Sequence, residues 1–177
     1  MSTAPRSVAD LFAFDTLTDD EERAIAATVA DFGAKRLRPH VAGWFEDGTL
    51  PARDLALELG ELGVFGMHLT GYGCAGTSAV SYGLACLELE AVDSGLRSFV
   101  SVQGSLAMFA IHAFGSDGQR QGGLPRMGAG RAVGCFGLTE PDFGSNPAGM
   151  RTAAKRDGDD WILNGAKMWF TNAPVAD

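Results

Sequence analysis

Apolar side chains recur at helical spacing through the first two thirds of the chain. Ile25, Val29 and Phe32 fall three to four residues apart, behind Thr18 as N-cap and Glu21 three residues on, the arrangement of a capping box. Pro39 ends this helix by Leu37 or Arg38, because proline disfavours helical backbone in the residue before it. Pro51 suits the first turn of a second helix, with Leu55, Leu59 and Leu62 on one face and Gly63 near its end. A third helix is expected over 77–92, where Val80, Leu84, Leu87 and Ala91 form a stripe. A fourth is expected over 95–114, through Phe99, Val100, Val102, Leu106, Met108, Phe109, Ile111 and Phe114. Both are apolar on most faces, which predicts burial. Residues 1–17 read as irregular.

The pattern changes after Pro125. Residues 132–139 read as a strand. Residues 151–156 and 161–163, around Asp157 and Gly158, read as a hairpin, and Asn164-Gly165 is a strong two-residue turn signal. Met168 to Thr171 is the next expected strand. The predicted fold class is α+β: an irregular segment over 1–17, an all-helical domain over 18–131, and the start of an antiparallel β domain over 132–177. A few short strands do not make a stable sheet by themselves.

Composition narrows the function. A net charge of −8 argues against nucleic acid as partner. No run approaches the length of an uncharged membrane span, and no hydrophobic region follows the N-terminus as in a signal peptide, so a cytoplasmic location is expected. Cys74, Cys86 and Cys135 are odd in number and lack C-x-x-C spacing, which favours reduced thiols over disulfides or a metal site.

GYGCAG at 71–76 fits G-x-G-x-x-G, follows the apolar stretch 64–69, and has Asp93 about twenty residues on, the outline of a dinucleotide-binding βαβ unit. Against it, residues 84–92 continue a helical stripe where a second strand should end. A glycine-rich turn between helices is the plainer reading.

The run GCFGLTEPDFGSN at 134–146 carries more chemistry. A strand ending at Leu138-Thr139 runs into turns forced by Pro141 and Gly144. Backbone N–H groups at such a strand end can face a flat, acceptor-rich ring or a phosphate. Arg97 is the only charged side chain between Ser94 and Ile111, beside a polar stripe of Ser94, Ser98, Ser101 and Ser105. A buried guanidinium needs an anion. Asp93 or Glu90 is the structural candidate, and a substrate carboxylate gripped by the planar fork is the functional one.

The 134–146 run resembles the acyl-CoA dehydrogenase signature, which passes from a strand end through Thr-Glu-Pro to Gly-Ser. LNGAKMWFTN at 163–172 resembles that family's next flavin-contacting strand, N-G-x-K-x-W-I-T-N. Residues 71–76, 82–93, 94–98 and 101–103 read like glutaryl-CoA dehydrogenases, and the resemblance spans about 15–177. It implies FAD as cofactor, with Phe136, Gly137, Leu138, Thr139, Glu140, Gly144 and Ser145 lining it and Leu138 and Thr139 at the isoalloxazine edge. Trp169, Phe170 and Thr171 would flank the ring. Ser145 would sit where the acyl-CoA passes. Arg97, with Ser98 and Ser101, would hold the far carboxylate of glutaryl-CoA. The implied reaction is α,β-dehydrogenation of the thioester, then decarboxylation to crotonyl-CoA. Electron-transfer flavoprotein is the implied acceptor and a homotetramer the implied assembly.

Several positions depart from the family pattern. Phe143 stands for a small residue, Asn146 for an aspartate, Ala166 and Phe170 for threonine and isoleucine, and Gly122-Gly123 replaces a bulkier stretch. The family's general base is a carboxylate in a C-terminal helical domain that also completes the flavin site. Nothing here matches that domain. The expectation is an N-terminal portion without an assigned catalytic residue or metal; a nucleotide-binding module at 71–76 and an inactive remnant are the alternatives.

Overall fold

The computed structural model describes residues 16–177, so all but the end of the expected irregular N-terminal segment lies outside the described residues. Helix α1, Asp20–Phe32, is capped by Asp19 rather than Thr18. The Asp19 carboxylate accepts from the Glu22 N–H at 2.8 Å, and Glu22 reaches back to the Asp19 N–H at 3.2 Å. The acidic run at 19–22 offers two overlapping boxes, and the carboxylate cap takes precedence. The chain then widens into a π-helical turn, Gly33–Leu37, and continues as α2, Arg38–Asp47. Pro39 thus does mark a helix boundary, but it opens a new helix instead of a loop: in a first turn its missing N–H costs nothing.

Helix α3, Ala52–Glu61, follows Pro51 and buries Ala52, Leu55, Ala56 and Leu59. Residues 71–76 do not form a nucleotide-binding turn. Strands β1, Thr70–Gly71, and β2, Cys74–Ala75, pair antiparallel, Thr70 opposite Ala75, around Tyr72 and Gly73 at φ 54° and 81°. The preceding 64–69 stretch is buried turns, and the βαβ unit a dinucleotide requires is absent among the described residues.

Helix α4, Ala79–Glu90, packs along α1. Its buried face is Ser81, Ala85 and Leu89, and the stripe expected inside faces out, with Val80 and Leu87 49% and 59% exposed. A helix apolar nearly all round does not reveal its inner face by periodicity. Small residues at 81 and 85 let α1 approach, and that selects the face. The expected helix over 95–114 is α5, Ser94–Ser101, a π-helical segment, Val102–Met108, and α6, Phe109–Phe114. Its first half is buried as expected, but Leu106, Phe109 and Phe114 are exposed. Helix α7, Asp117–Gly128, was not expected, because Gly122, Gly123 and Pro125 argue against a helix; a Ser116–Gln119 capping box and buried Leu124 and Met127 hold it.

After α7 the chain turns at Gly130, where a side chain is excluded: a Cβ would stand 1.8 Å from the Ala56 carbonyl oxygen. Strands β3, Ala153–Asp157, and β4, Asp160–Asn164, form the expected hairpin around Gly158, with Ala153 opposite Asn164. Asn164-Gly165 makes no second hairpin. Residues 132–139 and 168–171 are not strands. A single ladder-like bond joins them, from the Met168 N–H to the Thr139 carbonyl at 2.9 Å. Their other backbone bonds run to turns and side chains, among them the Ala132 N–H to the Arg126 carbonyl and the Asp177 N–H to the Val133 carbonyl, so no sheet forms. The architecture is a helical domain followed by small antiparallel pairs, an α+β arrangement.

Candidate functional site

The motif loop is fastened at both ends. At its start, Gly134 donates its N–H to Gln103 Oε1 at 2.6 Å, and its carbonyl accepts from Asn172 Nδ2 at 3.2 Å. Gln103, wholly buried on the π-helical segment, also donates to the Met127 and Ala132 carbonyls at 3.0 and 2.8 Å. Asn172, at φ 73°, reaches the Phe99 carbonyl as well. The Val133 N–H donates to Asp177, which Arg53 also grips. Position 134 accepts only glycine, since a Cβ would lie 2.6 Å from Ala107 Cβ and Met127 Cε.

At the far end sits Glu140, 5% exposed. Its carboxylate accepts from the Arg151 N–H at 2.6 Å, the Thr152 N–H at 2.8 Å and Lys167 Nζ at 3.0 Å. Those bonds, the Arg151 amide foremost, lower its pKa to about 2 against the opposing effect of desolvation. Lys167 Nζ donates further to the Leu138 carbonyl at 3.0 Å and lies 3.6 Å from Met150 Sδ. Glu140 and Phe143 exchange backbone bonds at 3.0 and 3.2 Å, closing the Thr-Glu-Pro turn. Phe143, bulky for this motif, packs beneath the Arg151 guanidinium at 5.3 Å.

Between these anchors the backbone is open. The N–H groups of Phe136, Gly137, Leu138 and Thr139 have no acceptor among the described residues. Phe136 and Leu138 are exposed, and on the adjoining segment Trp169 is 81% exposed. Trp169 sits at φ 62°, a conformation a bulky residue rarely adopts. Thr171, Gly144 and Ser145 are exposed, and Phe170 is half-buried. Exposed apolar side chains beside free backbone donors suit a planar ring with acceptor atoms on its edge. The loop and the 169–171 segment are thus brought together; Glu140 is placed with its oxygens on this chain's own donors.

Arg97 is elsewhere, on α5. Its side chain is 35% exposed, so the expected burial is not observed. Its Nε donates to Glu90 at 2.6 Å and one terminal nitrogen to Ser101 Oγ at 3.4 Å. Asp93 is occupied as the α5 N-cap, accepting from Gly95 and Leu96. Ser101 donates to the Ser98 carbonyl, and Ser105 donates to the Tyr82 hydroxyl at 2.6 Å, whose pKa burial pushes up to about 12. Sequence reasoning missed Gln103, Asn172 and Lys167 as working groups. A lone amide in an apolar helix, and the polar positions of the second motif, were the available signals.

Among the described residues no cluster could hold a metal ion, and no helix is long and apolar enough to cross a membrane. Residues 19–131 match the acyl-CoA dehydrogenase N-terminal domain and residues 135–177 the middle domain. The probable acyl-CoA dehydrogenase YngJ of Bacillus subtilis is 35% identical over 159 residues, 88% of this chain and 41% of its own length. Human mitochondrial short-chain specific acyl-CoA dehydrogenase is 33% identical over 87% of this chain and 37% of its own. A glutaryl-CoA dehydrogenase from Mycobacterium smegmatis in complex with FADH2 superposes with a TM-score of 0.92 at 69% identity, over 94% of this chain and 43% of that one. Butyryl-CoA dehydrogenase from Megasphaera elsdenii gives 0.82 at 33% identity, over 90% and 43%. The chain spans about two fifths of these relatives' length.

Proposed function

The chain belongs to the acyl-CoA dehydrogenase family, and on that premise we propose that it forms one wall of a site that binds FAD and an acyl-CoA thioester, glutaryl-CoA in particular. The observation that carries this reading is the run of free N–H groups at 136–139 beside exposed Phe136, Leu138 and Trp169. When bound there, FAD supplies the acceptor for the hydride leaving the thioester β-carbon. Leu138 and Thr139 present their amides to the acceptor edge of the ring, and Trp169 and Thr171 flank it. Ser145, exposed beyond the Thr-Glu-Pro turn, lines the thioester's path.

Arg97 receives the far carboxylate of a glutaryl group. Its terminal nitrogens keep donors available while Nε holds Glu90. The high identity to a glutaryl-CoA dehydrogenase supports this substrate class, with decarboxylation following dehydrogenation. An electron-transfer flavoprotein as acceptor and a homotetrameric assembly belong to the same proposal. Cys74, Cys86 and Cys135 are free thiols, which fits a reducing compartment such as the cytoplasm.

The test is the visible absorption of FAD mixed with the purified chain, alone and with a C-terminal half of a glutaryl-CoA dehydrogenase added in trans. A perturbed flavin band, weak alone and strengthened in trans, is expected. An unchanged spectrum under both conditions overturns the reading.

A further inference from the structure

Lys167 is more deeply placed than any role on a surface requires. Its side chain is 17% exposed, and its ammonium pairs with Glu140 at 3.0 Å. It joins three partners from two stretches of chain: the Leu138 carbonyl and the Glu140 carboxylate on the motif loop, and the Met150 sulfur. The two segments that carry the proposed ring contacts, 136–139 and 169–171, otherwise meet through one backbone bond, Met168 to Thr139, and where the Phe170 ring lies against Gly137. Neither is a strand, so no ladder fixes their spacing. Gly137 touches the stem of Lys167, where a Cβ would lie 3.4 Å from Cγ.

We propose that Lys167 is a positioning residue for the flavin wall: its ammonium, shared between Leu138 and Glu140, sets the distance and tilt between the two segments. This rests on the flavin reading above. With Lys167 in place, the Leu138 carbonyl is drawn toward the ammonium, and the peptide plane carrying the Thr139 N–H is fixed with it. Met168 is held beside Thr139, and Trp169 is forced into its left-handed turn just beyond. Glu140 is the counter-charge that makes burial of the ammonium tolerable and ties the unit to β3 through Arg151 and Thr152. Lys167 therefore governs flavin affinity without touching the flavin. This extends the function of the pair beyond holding the turn together.

The test is an equilibrium titration of FAD against the full chain, followed by flavin fluorescence. Hydrogen exchange and thermal melts are measured on the same samples. Lys167→Met is expected to weaken FAD binding roughly tenfold or more. Exchange should quicken at 136–152 and 166–171 while α4 and α5 stay protected. Lys167→Arg should restore part of the affinity, by returning a donor to the Leu138 carbonyl. Lys155→Met removes the same charge from the exposed β3 strand and controls for simple attraction of the FAD phosphates; its affinity should match the parent. Unchanged FAD affinity in Lys167→Met overturns the proposal, as does an equal loss in Lys155→Met. Faster exchange throughout the helical unit also overturns it, since Lys167 would then be only structural. Failure of the parent chain to perturb FAD at any concentration, both alone and with the C-terminal half added in trans, overturns the flavin reading itself, and the positioning role with it.

Discussion

Leu37, Leu55, Leu59, Leu89, Leu96, Met108 and Leu124 are fully buried in the helical unit, whereas the large apolar residues Trp161, Ile162, Leu163 and Trp169 are all more than half exposed. Residues on both faces of β3 and β4 are solvent-exposed. The two regions are held by different forces. Burial of apolar area closes the first. Beyond Ala132 and Val133, which enter the core, the second is tied down at a few polar points: Gln103 and Asn172 on Gly134, Asp177 on Val133, and Glu140 with Lys167 on the turn. A segment fixed by hydrogen bonds keeps its apolar wall free for something else, and the candidate site lies there.

Leu96→Ala should have the largest effect on stability. It hollows a fully buried site against Phe99 and Val100 and should cost about 2–5 kcal/mol. The melting temperature of the whole chain should fall with it. A melt that leaves the helical signal in place would show that the core is not one cooperative unit.

Gln103→Leu comes next and attacks the other kind of anchor. It keeps the apolar volume but strands the Gly134 N–H and the Ala132 carbonyl, while the Met127 carbonyl keeps its bond from the Gly130 N–H. Each stranded group costs about 1–3 kcal/mol unless water reaches it. Exchange at 133–139 should rise more than exchange in α4. Equal rises in both would erase the distinction between the two regions.

Arg97→Met sharpens the comparison from the helical side, in a complete enzyme that carries this chain. If Arg97 receives a substrate carboxylate, kcat/KM for glutaryl-CoA should fall on the order of tenfold to a hundredfold relative to butyryl-CoA. Lysine should rescue only in part, for want of the fork. Equal loss on both thioesters with a lowered melting temperature would instead make the Arg97–Glu90 pair a structural bond.

What the sequence disclosed follows the same division. Helices with one apolar face, such as that of Leu55 and Leu59, were legible from spacing, because burial on one side leaves a period. The inner face of α4 was not, because Val80, Leu84 and Leu87 are as apolar as Ala85 and Leu89; close approach at Ser81 decided it. Helix α7 was hidden by Gly122, Gly123 and Pro125, whose poor propensity is outweighed by its cap and by Leu124 and Met127. The two motifs at 136–145 and 169–171 stand out by resemblance, and the structure joins them at Thr139 with Met168 and at Gly137 with Phe170. Their supports do not, since Gln103 bonds to backbone groups that no side-chain pattern records. The missing strands at 132–139 and 168–171 have β-like composition, but pairing is a property of neighbours, and few are within reach.

Acid probes the Glu140 anchor. Its folded pKa of about 2 lies below the ordinary value of 4.5, because the Arg151 and Thr152 amides and Lys167 favour the charged form. The group therefore contributes stability that is complete above about pH 4.5 and is lost as pH falls toward 2. Exchange protection at Arg151 and Thr152 should decline through that window. Glu140→Gln should start from lower protection and show a flatter decline. An identical pH profile in the variant would mean another carboxylate carries the transition, Asp177 being the nearest rival because Arg53 and the Val133 amide lower it too.

The smallest effect is expected from Trp161→Thr on the hairpin. Trp161 is 63% exposed and stands opposite Arg156, so it buries little area to lose. Threonine keeps strand propensity on β4. An exposed substitution of this kind changes stability by about 0.5 kcal/mol or less. The melting curve should be unchanged. Self-association, followed by light scattering, should fall, because Trp161 and Leu163 form an apolar pair on a two-stranded edge. A marked drop in melting temperature would show that Trp161 is covered in solution. The hairpin would then be held by burial as well, and the contrast with the helical unit would fail there first.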